Sequence, residues 1–293
     1  MNVSRGGIAG CLVWLSLGVI AFGADEPKVA TRHDLVYSKA SGSDLKIDLA
    51  RPAEGEGPFP AVLVIHGGAW RGGSKDSLRP ALDEFARRGY VAVSPQYRFC
   101  PANLFPAQVH DVKAAVRWIK ANAKEYKVDA GHIGAVGFSA GGHLSMMLGV
   151  TEPSDGLEGE VAEGEPDSRI QAVVNYFGPS DLAADDIPEV TRPLVSDFLG
   201  GTPAEKPKVA AQASPLTFIS RGDAPILTFQ GTKDPLVPYS QATKLADAMT
   251  ASGVPGRVEL LLGANHGWGG DDLKRTMDET FAFFDHYLKP SGR

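Results

Sequence analysis

Gly137-Phe138-Ser139-Ala140-Gly141 sets a serine between two glycines, directly after the apolar run Ile133 to Val136 and ahead of a helical pattern that opens near Ala140. A serine on such a strand-to-helix turn takes a strained backbone conformation, and only small neighbours let the strand and helix approach each other. Its hydroxyl, presented at the amino end of a helix, attacks a carbonyl carbon once a base removes its proton. The spacing and lysine of a phosphate-binding loop are absent, so Ser139 is expected to be a nucleophile.

A serine nucleophile needs a base and an acid to orient that base. The histidines are His33, His66, His110, His132, His143, His266 and His286. His266 lies in Gly263-Ala264-Asn265-His266-Gly267-Trp268, directly after the apolar run Val258 to Leu262, where a side chain can reach back over the end of a strand. His143, four residues after Ser139 on the same helical pattern, reads as packed. His110 and His286 fall inside helical patterns, His33 and His132 precede strands at the far end, and His66 reads as bonded within its own loop. The acid is expected after the strand before, in Gly231-Thr232-Lys233-Asp234-Pro235, which makes Asp234 the choice over Asp223 and Asp271. A carboxylate there fixes the imidazole tautomer and stabilises the imidazolium formed during attack. The base must be neutral to act, so activity is expected to fall on acidification.

His66-Gly67-Gly68-Ala69-Trp70 closes an earlier apolar run, Ala61 to Ile65. Backbone N–H groups of Ala140 and of Gly68 or Ala69 are expected to converge on a carbonyl oxygen, where they stabilise charge that develops only in the transition state. Trp70, Phe177, Leu236, Val237 and Trp268 stand near strand ends and are the expected substrate lining, an apolar rim that suits short acyl or aryl esters.

These residues must be carried by a scaffold. Short apolar runs at Leu45–Leu49, Ala61–Ile65, Tyr90–Ser94, His132–Gly137, Ile170–Tyr176, Pro225–Phe229 and Arg257–Leu262 alternate with helical patterns at 78–88, 106–124, 140–150, 240–252 and 272–288. Such alternation predicts an α/β fold, a mostly parallel sheet of about eight strands covered by helices on both faces, with ligands beyond the carboxyl ends of the strands. The stretch Leu182 to Gly222, between the sixth and seventh strands, is long for a simple crossover and predicts a small lid or helical excursion. The acidic run Glu152 to Asp167 contains no basic residue before Arg169 and reads as a solvated surface loop.

Taken together, the order Ser139, Asp234, His266 resembles an α/β-hydrolase over roughly Leu35 to Leu288, and specifically the esterase branch with an H-G-G-x-W oxyanion motif. It is most similar to the bifunctional feruloyl and acetyl-xylan esterase-like group, and near to the hormone-sensitive-lipase-like carboxylesterases. The latter usually carry a third glycine where this chain has Ala69. Arylformamidases share H-G-G-x-W and supply the alternative of amide hydrolysis, while a non-catalytic binding protein on the same fold is the remaining alternative. The resemblance implies hydrolysis of a carboxylic ester through an acyl-enzyme, with no metal and no organic cofactor, on a small-molecule or polysaccharide-linked ester.

Composition agrees with a folded body of this kind. Of 293 residues, 43% are hydrophobic and 22% charged, near globular averages, which disfavours disorder and a polytopic membrane protein. The net charge of −6 disfavours nucleic acid as a partner. Arg5, the apolar run Ile8 to Phe22 and the small residues Gly23-Ala24 before Asp25 read as a signal peptide over 1–24, with a single domain over 25–293. At about fifteen residues the run falls short of the roughly twenty needed to span a bilayer, so no stable anchor is expected and the mature chain is expected to be secreted or periplasmic. Its loss removes Cys11 and leaves Cys100 without an intrachain partner, expected to be buried.

Overall fold

A computed structural model describes residues 27–289. Residues 1–24, which read as a signal peptide and include Cys11, lie outside the described residues. Eight strands make one sheet: β1 (Val29–Ala40), β2 (Ser43–Pro52), β3 (Phe59–Ile65), β4 (Val91–Pro95), β5 (Val128–Phe138), β6 (Ala172–Tyr176), β7 (Ile226–Gly231) and β8 (Gly256–Leu261). Their spatial order is β1-β2-β4-β3-β5-β6-β7-β8. β1 and β2 pair antiparallel, β2 joins β4 antiparallel, and every pairing from β4 to β8 is parallel. This is the α/β-hydrolase architecture.

Helices α1 (Arg79–Arg87), α2 (Ala107–Ala121), α3 (Ala123–Tyr126), α4 (Ala140–Val150), α7 (Ser240–Ser252) and α8 (Gly270–Leu288) pack on the sheet, while α5 (Arg192–Leu199) and α6 (Pro207–Gln212) lie in the stretch between β6 and β7. The sheet divides the core in two. In β3, Ala61, Leu63 and Ile65 pack into one cluster with residues of α2 and α4, while Val62 and Val64 pack into the other with residues of α1 and α8. A strand buried on both faces reads as a continuous apolar run, which is why β3 was visible in the sequence.

After β3 the chain moves to one side to make β4, then returns past β3 to make β5 on its other side. The loops leaving β3 and β5 therefore diverge at a topological switch point, where a crevice opens at the carboxyl edge. The 66–70 loop and Ser139 flank it.

Three expectations need correction. β1 carries no expected strand, because Arg32, His33 and Asp34 and two irregularities in its register break the alternation of apolar residues. His33 and His132 lie inside β1 and β5 rather than ahead of strands. The acidic run is not simply solvated: Glu158 pairs with the buried Lys113 of α2 at 2.5 Å and with Arg117 at 3.1 Å, and Arg117 and Lys120 also hold Glu165 and Asp167. Its counter-charges come from a helix some forty residues earlier, beyond the reach of any local reading. The stretch between β6 and β7 does contain helices, α5 and α6.

Candidate active site

Ser139 lies between β5 and α4, with φ 55° and ψ −120°, in the left-handed half of backbone space. Two close approaches make that turn possible. A Cβ on Gly137 would stand 2.1 Å from the Gly141 carbonyl oxygen, and one on Gly141 would stand 2.1 Å from the carbonyl oxygen of Ile65 in β3. The Ser139 N–H donates to Tyr176 O of β6 at 2.8 Å, which ties the elbow to the next strand.

His266, on the loop after β8, places Nε2 2.9 Å from Ser139 Oγ and Nδ1 2.7 Å from Asp234 Oδ2. A carboxylate accepts only, so Nδ1 carries the proton and Nε2 faces the hydroxyl as an acceptor. Asp234, on the loop after β7, has a fully buried side chain. Its Oδ1 accepts from the N–H groups of Leu236 at 2.8 Å and Val237 at 2.9 Å, and Oδ2 also accepts from Gln230 Nε2 at 3.0 Å. A buried charge is tolerable when it is bonded in this way. Gln230 was missed in the sequence; its position as the penultimate residue of β7, four before the acid, was the available signal.

The loop after β3 runs beside the elbow, since a Cβ on Gly67 would meet Phe138 O at 2.7 Å and Ser139 Cβ at 3.3 Å. Gly68, Ala69 and Trp70 all have positive φ, at 122°, 53° and 57°. Among the described residues no acceptor receives the N–H groups of Gly68, Ala69 or Ala140. His66 is buried, with Nδ1 2.8 Å from Gly67 O and its ring stacked on Tyr97 at 4.4 Å; burial pushes its imidazole below the ordinary value.

The expected lining residues divide. Phe177 and Trp268 are half-buried, with the Phe177 ring centre 4.7 Å from that of His266 and 5.3 Å from that of Trp268. Leu236 and Val237 line a depression together with Ile187 and Val195 of the β6–β7 insertion. Trp70 is only 3% exposed, so its side chain belongs to the core and offers a substrate almost no surface. Cys100 is buried, and burial pushes its thiol up to about 11. Asp34, Asp48 and Asp76 bring carboxylates together, but Lys75 Nζ sits among them at 2.9, 2.7 and 2.8 Å, in the place a cation would take.

The sequence model of the BD-FAE family matches residues 47–249, from β2 to α7. The chain belongs to the BD-FAE family. Among related proteins, esterase LipC of Mycobacterium tuberculosis is 34% identical over 75% of this chain and 55% of its own length. The chain spans about half the length of the curated relatives it matches. Two solved structures cover the fold almost completely. A thermophilic esterase, Est2, from Thermogutta terrifontis superposes with a TM-score of 0.74 at 27% identity, over 92% of this chain and 96% of its own. Est2 has also been solved with propionate and with butyrate bound. A truncated carbohydrate esterase from gut microbiota superposes with a TM-score of 0.77 at 26% identity, over 90% and 99%.

Proposed function

We propose that this BD-FAE member is a serine carboxylic-ester hydrolase working through an acyl-enzyme on short-chain or aryl esters. The observation that carries the reading is the continuous chain of hydrogen bonds from Asp234 through His266 to Ser139 Oγ. In the proposed first step Ser139 Oγ attacks the ester carbonyl while His266 Nε2 takes its proton. The carbonyl oxygen becomes negative and accepts hydrogen bonds from Ala140 N–H and from Gly68 or Ala69 N–H, groups with no competing acceptor among the described residues. His266 then returns the proton to the departing alcohol, and the same base activates water to release the acid. Asp234 holds the imidazole tautomer throughout.

Short acyl groups are favoured by the aromatic Phe177 and Trp268 beside His266 and by the propionate and butyrate complexes of Est2. An ester carried on polysaccharide is the natural extension, supported by the gut carbohydrate esterase and by a leader that reads as a signal for export. Turnover of p-nitrophenyl acetate and butyrate by wild type, lost in Ser139→Ala, is the expected result. Equal turnover by both proteins removes the nucleophile. Faster cleavage of N-formylkynurenine than of any ester assigns the site to amide hydrolysis instead. Acetylated xylan and methyl ferulate, assayed beside simple aryl esters, identify the alcohol and acyl groups preferred.

A further inference from the structure

Ala69 and Trp70 are consecutive residues with Cβ atoms in left-handed backbone conformation, φ 53° and 57°. Each such residue is strained and persists only where its surroundings fix it from several directions. The strain sits in the segment that offers the N–H groups of Gly68 and Ala69, so whatever fixes Trp70 also aims those groups.

Trp70 is fixed three ways. Its carbonyl accepts from Cys100 N–H at 2.9 Å. Its indole stacks on Phe198 of α5, ring centres 4.3 Å apart and planes 12° from parallel. Its Nε1–H donates to Nδ1 of His143 at 3.2 Å. His143 is a fully buried residue of α4, one turn beyond Ser139, and its Nε2 lies 2.7 Å from Ala213 O, just after α6. A carbonyl can only accept, so His143 Nε2 carries the hydrogen and Nδ1 is left with a lone pair for the indole. Burial pushes the imidazole down to about 4, which keeps it in that neutral form.

We infer that Trp70 and His143 act as a positioning pair: a neutral imidazole, oriented by Ala213 in the β6–β7 insertion, holds the strained 68–70 loop against the nucleophile helix so that its amides face the oxyanion. Trp70 is then not a substrate contact. The inference rests on the ester-hydrolase reading above, and p-nitrophenyl acetate turnover by wild type, absent in Ser139→Ala, tests that reading separately.

His143→Leu and Trp70→Phe each delete the bond from one side, the latter keeping an aromatic ring against Phe198. His143→Asn is the conservative variant, because its amide oxygen can stand where Nδ1 stood and accept the indole hydrogen. Losing an oxyanion donor costs about 10² to 10³ in rate, and misaiming one costs less, so kcat is expected to fall about 10- to 100-fold in His143→Leu and Trp70→Phe. KM is expected to stay within about threefold. The Ki of a phenylboronic acid, whose tetrahedral adduct needs the same amides, is expected to rise by the same factor as kcat falls. The double variant is expected to lose no more than either single one, and His143→Asn is expected to recover most of the rate. Wild-type kcat and boronate affinity in folded variants with only a lowered Tm overturn the inference, as do multiplicative losses in the double variant. If His143→Leu does not fold, Trp70→Phe with its boronate Ki decides alone.

Discussion

Asp234 Oδ2 lies 2.7 Å from His266 Nδ1, and the remaining donors around that carboxylate, Gln230 Nε2 and the Leu236 and Val237 N–H groups, converge on the same two oxygens. Such a cradle is built for an anion. Asp234→Asn sets an amide among four donors, leaving its own NH2 opposed to one of them and the imidazole free to adopt the wrong tautomer. The expected loss in kcat on p-nitrophenyl acetate is about 10³- to 10⁴-fold with little change in KM. A loss under tenfold in the folded variant contradicts the orienting role.

Gly141 is one of two equally tight points of the elbow, because a Cβ there would stand 2.1 Å from the Ile65 carbonyl oxygen, a backbone atom of the central strand that cannot step aside. Gly141→Ala is expected to destabilise by at least about 3 kcal/mol, at the upper end of overpacking costs, and to abolish activity in what folds. Denaturant midpoints of wild type and variant measure the first, and an unchanged midpoint disproves it.

Lys113 is fully buried, with Nζ bonded to Glu158 Oε1, Thr151 O and Ser168 Oγ. Burial pushes its ammonium down and the Glu158 partner opposes that. Glu158→Gln removes that partner and leaves the charge uncompensated, with an expected cost of about 3 kcal/mol in unfolding free energy. The Lys113–Glu158 pair sits beside Thr151, at the end of α4 opposite Ser139, so kcat per folded molecule should match wild type. A large kcat loss at unchanged stability refutes this assignment.

His143 gives stability a dependence on pH. Its imidazole sits at about 4 in the folded chain, through burial, against an ordinary 6.5. Between those values the unfolded chain binds a proton that the folded chain refuses, so unfolding free energy declines as pH falls through that window. His66 and His110, also lowered by burial, act in the same sense. Urea midpoints measured at about pH 7 and about pH 5 should fall for wild type, and fall less for His143→Asn. An equal fall in both proteins refutes the assignment to His143.

Motif spacing alone singled out Ser139, Asp234 and His266 as candidates, and the runs Ala61–Ile65 and Ser240–Ser252 marked β3 and α7 closely. These were legible because nucleophile elbows, buried parallel strands and amphipathic helices impose local rules on consecutive residues. β1 was not, since an edge strand exposed over much of its length can carry charges and register breaks at little cost.

What the sequence determined by itself was therefore the order of the strands from β2 onward and the candidate residues at their ends, because both are written in neighbouring residues. The tertiary structure decided the pairings across distance: Trp70 on His143, 73 positions away, Lys113 on Glu158, 45 away, and Gln230 behind Asp234 in a closed cradle. The reason is physical. A side chain's partner is set by which surfaces the packed sheet and helices bring together, and a residue such as Trp70 can serve core or cleft until that packing is known.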